Sequence, residues 1–479
     1  MKAFPETFVR RLRPILLLNV VFSFFSFPQA RAQEHPFGAE PGLVVIAGAE
    51  DDGPWNEAFA LRMARGGRNL VHVLLKEEKL VNEWRGRFAE AGHGGVILVD
   101  ALPANGRLPY PDRFVNALWA NESVAPEQAR RVLAVRGKVH HLGLEENAVV
   151  PPDLTGIDSW THRFYDASGN CVSRDRVAAL PEAIQWQHGP ALEDGTADGK
   201  VPRIAYGRLL AVDNLTGDLV CRDAGNGFLL WRFPARLPDR SDFAVVGGKA
   251  YFHHEPLAPA AKDERRHLGR GPLVELDLRS GKLLRSFSES LSAGAATPVA
   301  FRRPQEDRER KERPYPWFVV SQKYVAQAYG PDLALLDRRT GERLLSKKLG
   351  DTLTWFTPVI AEKENLLFVA ECRHPARRGR HDGSSDVRAL VAFSLPDGKE
   401  RWRNENCHPL REIEEKGRRF LAKPELKPLS YAAGHLLVHL SSYQFRHGGG
   451  IALLDARTGK ERWSETFVPK QLYTQGSQR

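Results

Sequence analysis

Four cysteines in 479 residues, none in a C-x-x-C pair, give no sequence basis for a zinc knuckle or a thioredoxin-like redox centre. Other catalytic signatures are missing too. No G-x-S-x-G elbow, H-E-x-x-H helix or P-loop is written in the chain, which removes the usual forms of serine hydrolase, zinc protease and nucleotide hydrolase. A single-signed charge stripe is also lacking: 69 Lys and Arg are interleaved with 59 Asp and Glu, so the net charge of +10 forms no phosphate-tracking surface and nucleic acid is not an expected partner. Beyond residue 32 no apolar run approaches the length of a membrane span.

The one long apolar run lies at the start. Arg10, Arg11 and Arg13 precede Pro14 to Phe27, and Ala30-Arg31-Ala32 forms a small-x-small cleavage site, so residues 1–32 read as a signal peptide. Export to the periplasm or cell envelope follows. An oxidising compartment permits pairing among Cys171, Cys221, Cys372 and Cys407, with three connectivities if all four pair.

The chain is organised around I-A-L-L-D-A-R-T-G-K-E-R-W, Ile451 to Trp463. A β-rich run leads to an Asp that can bond the turn backbone, a Gly that tolerates positive φ, and a return strand carrying a large anchor. Weaker copies run from Leu219 to Trp231, Leu273 to Arg285, Leu333 to Leu345 and Leu390 to Trp402. With Asp223, Asp277, Asp337, Ser394 and Asp455 equivalent, the spacings are 54, 60, 57 and 61 residues. Each copy is preceded by two further strand-like runs, as in Phe243 to His254 and Thr357 to Glu371. Four-stranded antiparallel sheets of this kind must stack radially, which predicts an all-β propeller of about five four-stranded blades over residues 184–467, followed by a tail, 468–479. Ile184 to Gln187 is placed to add a strand to the last blade and close the ring.

Residues 42–150 follow a different rule. Apolar runs at Leu43 to Gly48, Leu70 to Leu75, Val96 to Asp100, Phe114 to Trp119 and Lys138 to Leu142 alternate with helical stretches at Asn56 to Arg65, Glu78 to Ala91 and Pro126 to Ala134. Strands alternating with helices predict a parallel, Rossmann-like α/β domain. Val149 to Asp153 reads as a hinge, and 151–183 as a lead-in to the propeller.

The order of pieces in 42–150 resembles an S-adenosylmethionine-dependent methyltransferase fold. That family's first strand enters a glycine-rich turn and its second ends in an acidic residue that holds the ribose. Here the turn is A-G-A-E-D-D-G, Ala47 to Gly53, and Leu75 is followed by Lys76. The resemblance thus implies a degenerate domain without methyl transfer, with Asp100 a strand-end cap. The hairpin form Asp455 to Trp463 resembles the tryptophan-docking repeat of PQQ-type propellers, and W-T-H (Trp160 to His162), D-A-S-G-N (Asp166 to Asn170) and I-Q-W (Ile184 to Trp186) resemble the lead-in of exported bacterial proteins that join the two modules. Trp231, Trp402 and Trp463 fit the docking role, with Arg285 and Leu345 in its place elsewhere. His162 and Asp166 read as members of a turn held by side-chain hydrogen bonds.

The resemblance raises a quinone-dependent oxidoreductase as the alternative, but that chemistry needs adjacent cysteines and a Ca²⁺ site that spacing here does not supply. No cofactor is therefore expected, and PQQ lacks site residues. The main expectation is an exported non-catalytic binding or assembly platform whose partner is another exported or envelope protein; an active methyltransferase is the second alternative. Asp213, His254, Gln322, Glu371 and Ser441 are expected at equivalent second-strand ends, ringing one mouth of the channel as candidate ligand-binding residues. Cys372 and Cys407 follow the second and fourth strands of the fourth blade, so they should emerge on one face and pair. No catalytic residue and no metal ligand is assigned.

Overall fold

The computed structural model of the chain describes residues 42–141, 156–177, 184–187, 201–213, 216–235, 237, 242–254, 271–288, 290–291, 317–350, 353–373, 386–405, 411–415, 418–422, 425–426, 429–441 and 449–467. The leader, the Val149 to Asp153 hinge and Cys407 lie outside them.

Five strands form the first sheet: β1 (Gly42–Ala49), β2 (Asn69–Leu75), β3 (Ile97–Ala101), β4 (Val115–Ala120) and β5 (Leu133–His141). All pairs are parallel and the order is β3-β2-β1-β4-β5, a Rossmann-like arrangement. The central strand β1 is buried along its whole length, which is why its sequence, GLVVIAGA, has no polar alternation. Three helices supply the crossovers: α1 (Glu57–Ala64), α2 (Val81–Glu90) and α3 (Pro126–Val132). Asn56 caps α1 by accepting the Phe59 N–H, and Pro126 starts α3 where a missing N–H costs nothing. The last strand begins at Leu133, five residues earlier than Lys138. It stays paired with β4 through a register shift around Arg136, whose φ is 73°.

The repeats form five antiparallel sheets. Blade 1 is β6 (Arg203–Ala205), β7 (Arg208–Val212), β8 (Leu219–Asp223) and β9 (Leu229–Phe233); blade 2 is β10 (Phe243–Val246), β11 (Lys249–His253), β12 (Leu273–Asp277) and β13 (Leu283–Ser286). Blade 3 is β14 (Trp317–Val320), β15 (Tyr324–Tyr329), β16 (Asp332–Asp337) and β17 (Arg343–Lys348); blade 4 is β18 (Leu353–Ala361), β19 (Leu366–Arg373), β20 (Asp386–Ser394) and β21 (Glu400–Asn404). A separate hairpin, β22 (Arg411–Glu415) and β23 (Arg418–Ala422), precedes blade 5. That blade has β24 (Glu425–Leu426) and β25 (Ser430–Ala432) both pairing with β26 (His435–Ser441), then β27 (Gly449–Asp455) and β28 (Glu461–Phe467).

The hairpin geometry repeats bond for bond. In each blade the turn Gly N–H donates to the Asp or Ser carbonyl, from Gly227 to Asp223 at 2.9 Å through Gly459 to Asp455 at 2.8 Å. Each of these glycines has positive φ, between 64° and 83°. A bulge follows at the same place in every third-to-fourth strand pair. Second-strand residues alternate in direction, so Leu210 and Val212 of blade 1 meet Ala250 and Phe252 of blade 2 in one apolar cluster. Similar clusters join blades 2 and 3, 3 and 4, and 4 and 5, giving a propeller-like stack whose stability is distributed over neighbour interfaces.

Candidate functional site

The first strand of every blade has a free edge, and all five edges converge on one stretch of chain. Trp160 and Ile204 exchange backbone bonds at 2.7 and 3.0 Å, the Val245 N–H donates to the Thr161 carbonyl at 2.9 Å, and the Val320 N–H donates to His162 Nε2 at 3.2 Å. The Ile360 N–H then donates to the Ala167 carbonyl at 2.9 Å and the Tyr431 N–H to the Ser168 carbonyl at 2.8 Å. Ile204, Val245, Val320, Ile360 and Tyr431 occupy the same place, each opposite the second residue of the following strand. The lead-in is therefore an axial plug that serves blades 1 to 5 in order. Gly169 is needed within it: its φ is 67°, and a Cβ there would come within 2.3 Å of the Leu429 carbonyl oxygen.

Side chains hold the plug's shape. Thr161 Oγ1 donates to the Tyr165 carbonyl at 3.0 Å, so at 2.8 Å it accepts from His162 Nδ1, which leaves His162 Nε2 as the acceptor for Val320. That tautomer is neutral. Burial, helped by the nearby Arg203 guanidinium, pushes the His162 pKa down to about 3. Asp166 accepts from the Ser168 N–H at 2.9 Å and its hydroxyl at 2.5 Å, a side-chain-held turn as its sequence suggests. Asp158 gathers Tyr165 Oη at 2.5 Å, the Arg174 N–H at 2.6 Å and the Ser159 N–H at 2.8 Å, tying the plug's entrance to its exit.

The docking tryptophans show a second repeated geometry. The Trp231 indole lies over Gly281, where a Cβ would be 2.6 Å away, and donates to the Leu278 carbonyl at 2.9 Å; Trp402 covers Gly459 and donates to Ala456 at 2.9 Å. Trp186 does the same to Gly227, donating to Ala224 at 3.1 Å. Residues 184–187 thus add no strand to blade 5. They stand instead in the place of an outer strand preceding blade 1, because the indole has a glycine turn to cover there. Arg285 reaches the Arg338 and Arg339 carbonyls, and Leu345 packs over Gly398. Trp463 departs from the pattern: it is 45% exposed, since no described hairpin glycine lies beneath it.

The five expected mouth residues do not assemble. Counted from the partner of the hairpin Asp or Ser, Asp213, His254 and Glu371 hold the same second-strand place and Ser441 falls one residue past it. Asp213 pairs with Arg232 at 2.9 Å, the His254 ring lies against Phe233 at 5.2 Å, and Glu371 is buried in β19 and bonded to Arg403 at 2.6 Å. Gln322 sits at the opposite end, in the turn between β14 and β15, where its carbonyl accepts from Arg338 at 2.7 Å. The W-F-V-V run, Trp317 to Val320, is the first strand of blade 3 and not its second, so Tyr329 holds the equivalent place.

The N-terminal sheet is fastened to blade 1 by a network that no sequence motif announces. Asn116 Nδ2 donates to Asp223 at 2.9 Å, while Asn116 Oδ1 accepts from the Leu43 N–H at 2.8 Å and from Asn226 at 2.7 Å. Asn226 Nδ2 also reaches the Phe114 carbonyl at 2.7 Å, and Gln185 bridges the Asp112 and Gly225 carbonyls. Burial pushes the Asp223 pKa up, and donors from Gly225, Asn226 and Asn116 oppose that. At the carboxyl ends of β1 and β2, Asp51 accepts from Trp84 at 2.8 Å and Glu50 pairs with Lys76 at 3.1 Å. Asp100 is no lone cap: it joins Arg85, at 2.5 Å, to His72, at 2.9 Å, and His72 meets Tyr110 at 2.7 Å. Burial lowers the His72 pKa. Among the described residues no helix is long and apolar enough to cross a membrane, and no group of three or more His, Cys, Asp or Glu is placed to hold a metal ion.

Residues 277–476 match the family model described as outer membrane protein assembly factor BamB. No curated protein matches the chain. Among solved structures, a europium-containing methanol dehydrogenase is similar at 13% identity and a TM-score of 0.34, over 56% of this chain and 50% of its own. A quinohaemoprotein alcohol dehydrogenase from Pseudomonas putida HK5 is similar at 13% identity and a TM-score of 0.31, over 55% of this chain and 51% of its own. The [4+2]-cyclase SpnF is similar at 22% identity and a TM-score of 0.19, over 21% of this chain and 39% of its own. The chain spans about half the length of the two dehydrogenases. From the hairpin of blade 2 onward, the chain carries PQQ-type repeats similar to those of the outer membrane assembly factor family.

Proposed function

We propose that this is an exported, non-catalytic binding or assembly platform built on the propeller, with another envelope protein as its partner. The observation that carries the reading is the axial plug. Backbone N–H groups along first strands can bind a ligand only where the chain itself does not already take them, and here the five first strands spend the equivalent N–H on residues 160–168. The described residues fit PQQ poorly: there is no adjacent cysteine pair in the sequence and no described carboxylate cluster for its metal, so no redox step is derived. In the N-terminal domain, the carboxylates of the first turn are turned to Trp84 and Lys76, which favours a degenerate shell over a working methyltransferase. The matched family model, described as an outer membrane assembly factor, supports an envelope address and a protein ligand. Native mass spectrometry of the protein taken from its own host should find a protein bound and no quinone. A retained quinone would return the oxidoreductase reading to first place.

A further inference from the structure

The blades do not form a uniform ring. In the second strand, the place two residues after the partner of the hairpin Asp or Ser faces the next blade, and Leu210, Tyr251, Ala326 and Phe368 are all fully buried there. Leu437 of blade 5 is 38% exposed. In the first strand, the plug-bonded place faces the preceding blade: Val245 and Val320 are fully buried, yet Ile204 of blade 1 is 46% exposed. With Trp463 half exposed as well, the uncovered apolar places are the leading face of blade 5 and the trailing face of blade 1. Trp186 shows that a blade position lies between them, because it covers blade 1's hairpin as the outer strand of a preceding blade would.

We propose that this sixth blade position is a docking groove, bounded by Leu437, Trp463 and Ile204, that receives a β-hairpin from a partner protein. The hairpin is apolar on both faces and has a glycine in its turn for Trp463 to cover. Continuity with the existing interfaces carries the argument: the exposed places are those that close the four interblade clusters elsewhere. In sequence, 142–155, 178–183, 188–200 and 468–479, which lie outside the described residues, lack the alternating apolar pattern of a two-stranded hairpin. The repeat hairpins of a second copy are already used, because Gly227, Gly281, Gly341, Gly398 and Gly459 lie under Trp186, Trp231, the Arg285–Phe287 strand, Leu345 and Trp402, and the separate β22–β23 hairpin, R-E-I-E-E and R-R-F-L-A around Gly417, is too charged to present two apolar faces.

The proposal rests on the platform reading, and the test separates the two. A photo-crosslinking amino acid is placed at Leu437, at Ile204 or, as a control, at the exposed Leu344 of blade 3, in the full-length protein in its own host. We expect Leu437 and Ile204 to join to one foreign protein, at a peptide reading strand, glycine turn, strand with apolar residues on both faces. Trp463→Ser should lower the Ile204 adduct at least tenfold while the far-ultraviolet circular dichroism is unchanged and Tm falls by no more than a few degrees. Adducts to this chain or to a second copy, a peptide of other character, no adduct at the two groove sites, or an adduct indifferent to Trp463→Ser would overturn the groove. Foreign adducts at Leu344 alone would leave the platform standing without it; no foreign adduct anywhere, with no protein retained in native mass spectrometry, would remove both.

Discussion

Truncating two tryptophans that occupy the same place in the repeat should have unequal consequences. Trp231 is 9% exposed, rests on Gly281 and bonds the Leu278 carbonyl. A buried aromatic cut to alanine costs about 3–5 kcal/mol, and leaving the carbonyl without its donor adds about 1 kcal/mol. Trp231→Ala should therefore lose about 4–6 kcal/mol. Trp463 is 45% exposed, so its ring hides only about half of the roughly 200 Å² that a covered one would. At about 25 cal/mol per Å² this is at most about 2.5 kcal/mol, and since solvent rather than a cavity replaces the ring, a loss of about 2 kcal/mol or less is expected for Trp463→Ala. Guanidinium denaturation followed by circular dichroism compares the two at unchanged m-value. Equal losses, or a larger loss at Trp463, would refute the reasoning, since they would mean that the last blade's tryptophan is covered like the others.

Three further outcomes are expected. Stability should decline as pH falls below about 6.5, because His162 is neutral in the fold with its pKa lowered to about 3: its contribution is complete above the unfolded value and is lost toward the folded one, at about 1.4 kcal/mol per pH unit. Denaturation midpoints against pH should be flatter for His162→Gln, and an unchanged slope would show that the plug's histidine is not held neutral. Asn116→Leu strips donors and acceptors from the buried Asp223 and Asn226 junction and should cost about 2–3 kcal/mol, with faster hydrogen exchange in β4 and in the Asp223 turn; exchange altered in neither would show the junction to be dispensable. Calorimetric titration of the full chain with S-adenosylmethionine should give no binding heat at millimolar ligand, since Asp51 and Glu50 occupy the first turn and Leu75 offers the ribose no acceptor; micromolar binding would restore the methyltransferase reading.

The hairpins were legible in the chain because everything that makes them is local. An Asp or Ser, a Gly four residues on and flanking β-formers suffice, so five copies at 54 to 61 residue spacing predict five sheets. The parallel N-terminal sheet was legible for a similar reason, since apolar runs alternating with capped helices leave few topologies. Blade edges were not. In blade 3, residues 292–316 intervene before the first strand, so spacing alone takes W-F-V-V for a second strand and sets Gln322 at the wrong end.

Contacts between distant segments were likewise decided only by tertiary structure. His162 meets Val320 across 158 residues, and Asn116 meets Asp223 across 107, with no period to signal either. Trp402 and Trp463 each close the same pentapeptide, G-K-E-R-W, yet one is docked and the other half exposed. That difference depends on whether a glycine turn lies beneath the ring, a property of the neighbouring blade rather than of the residue's own strand.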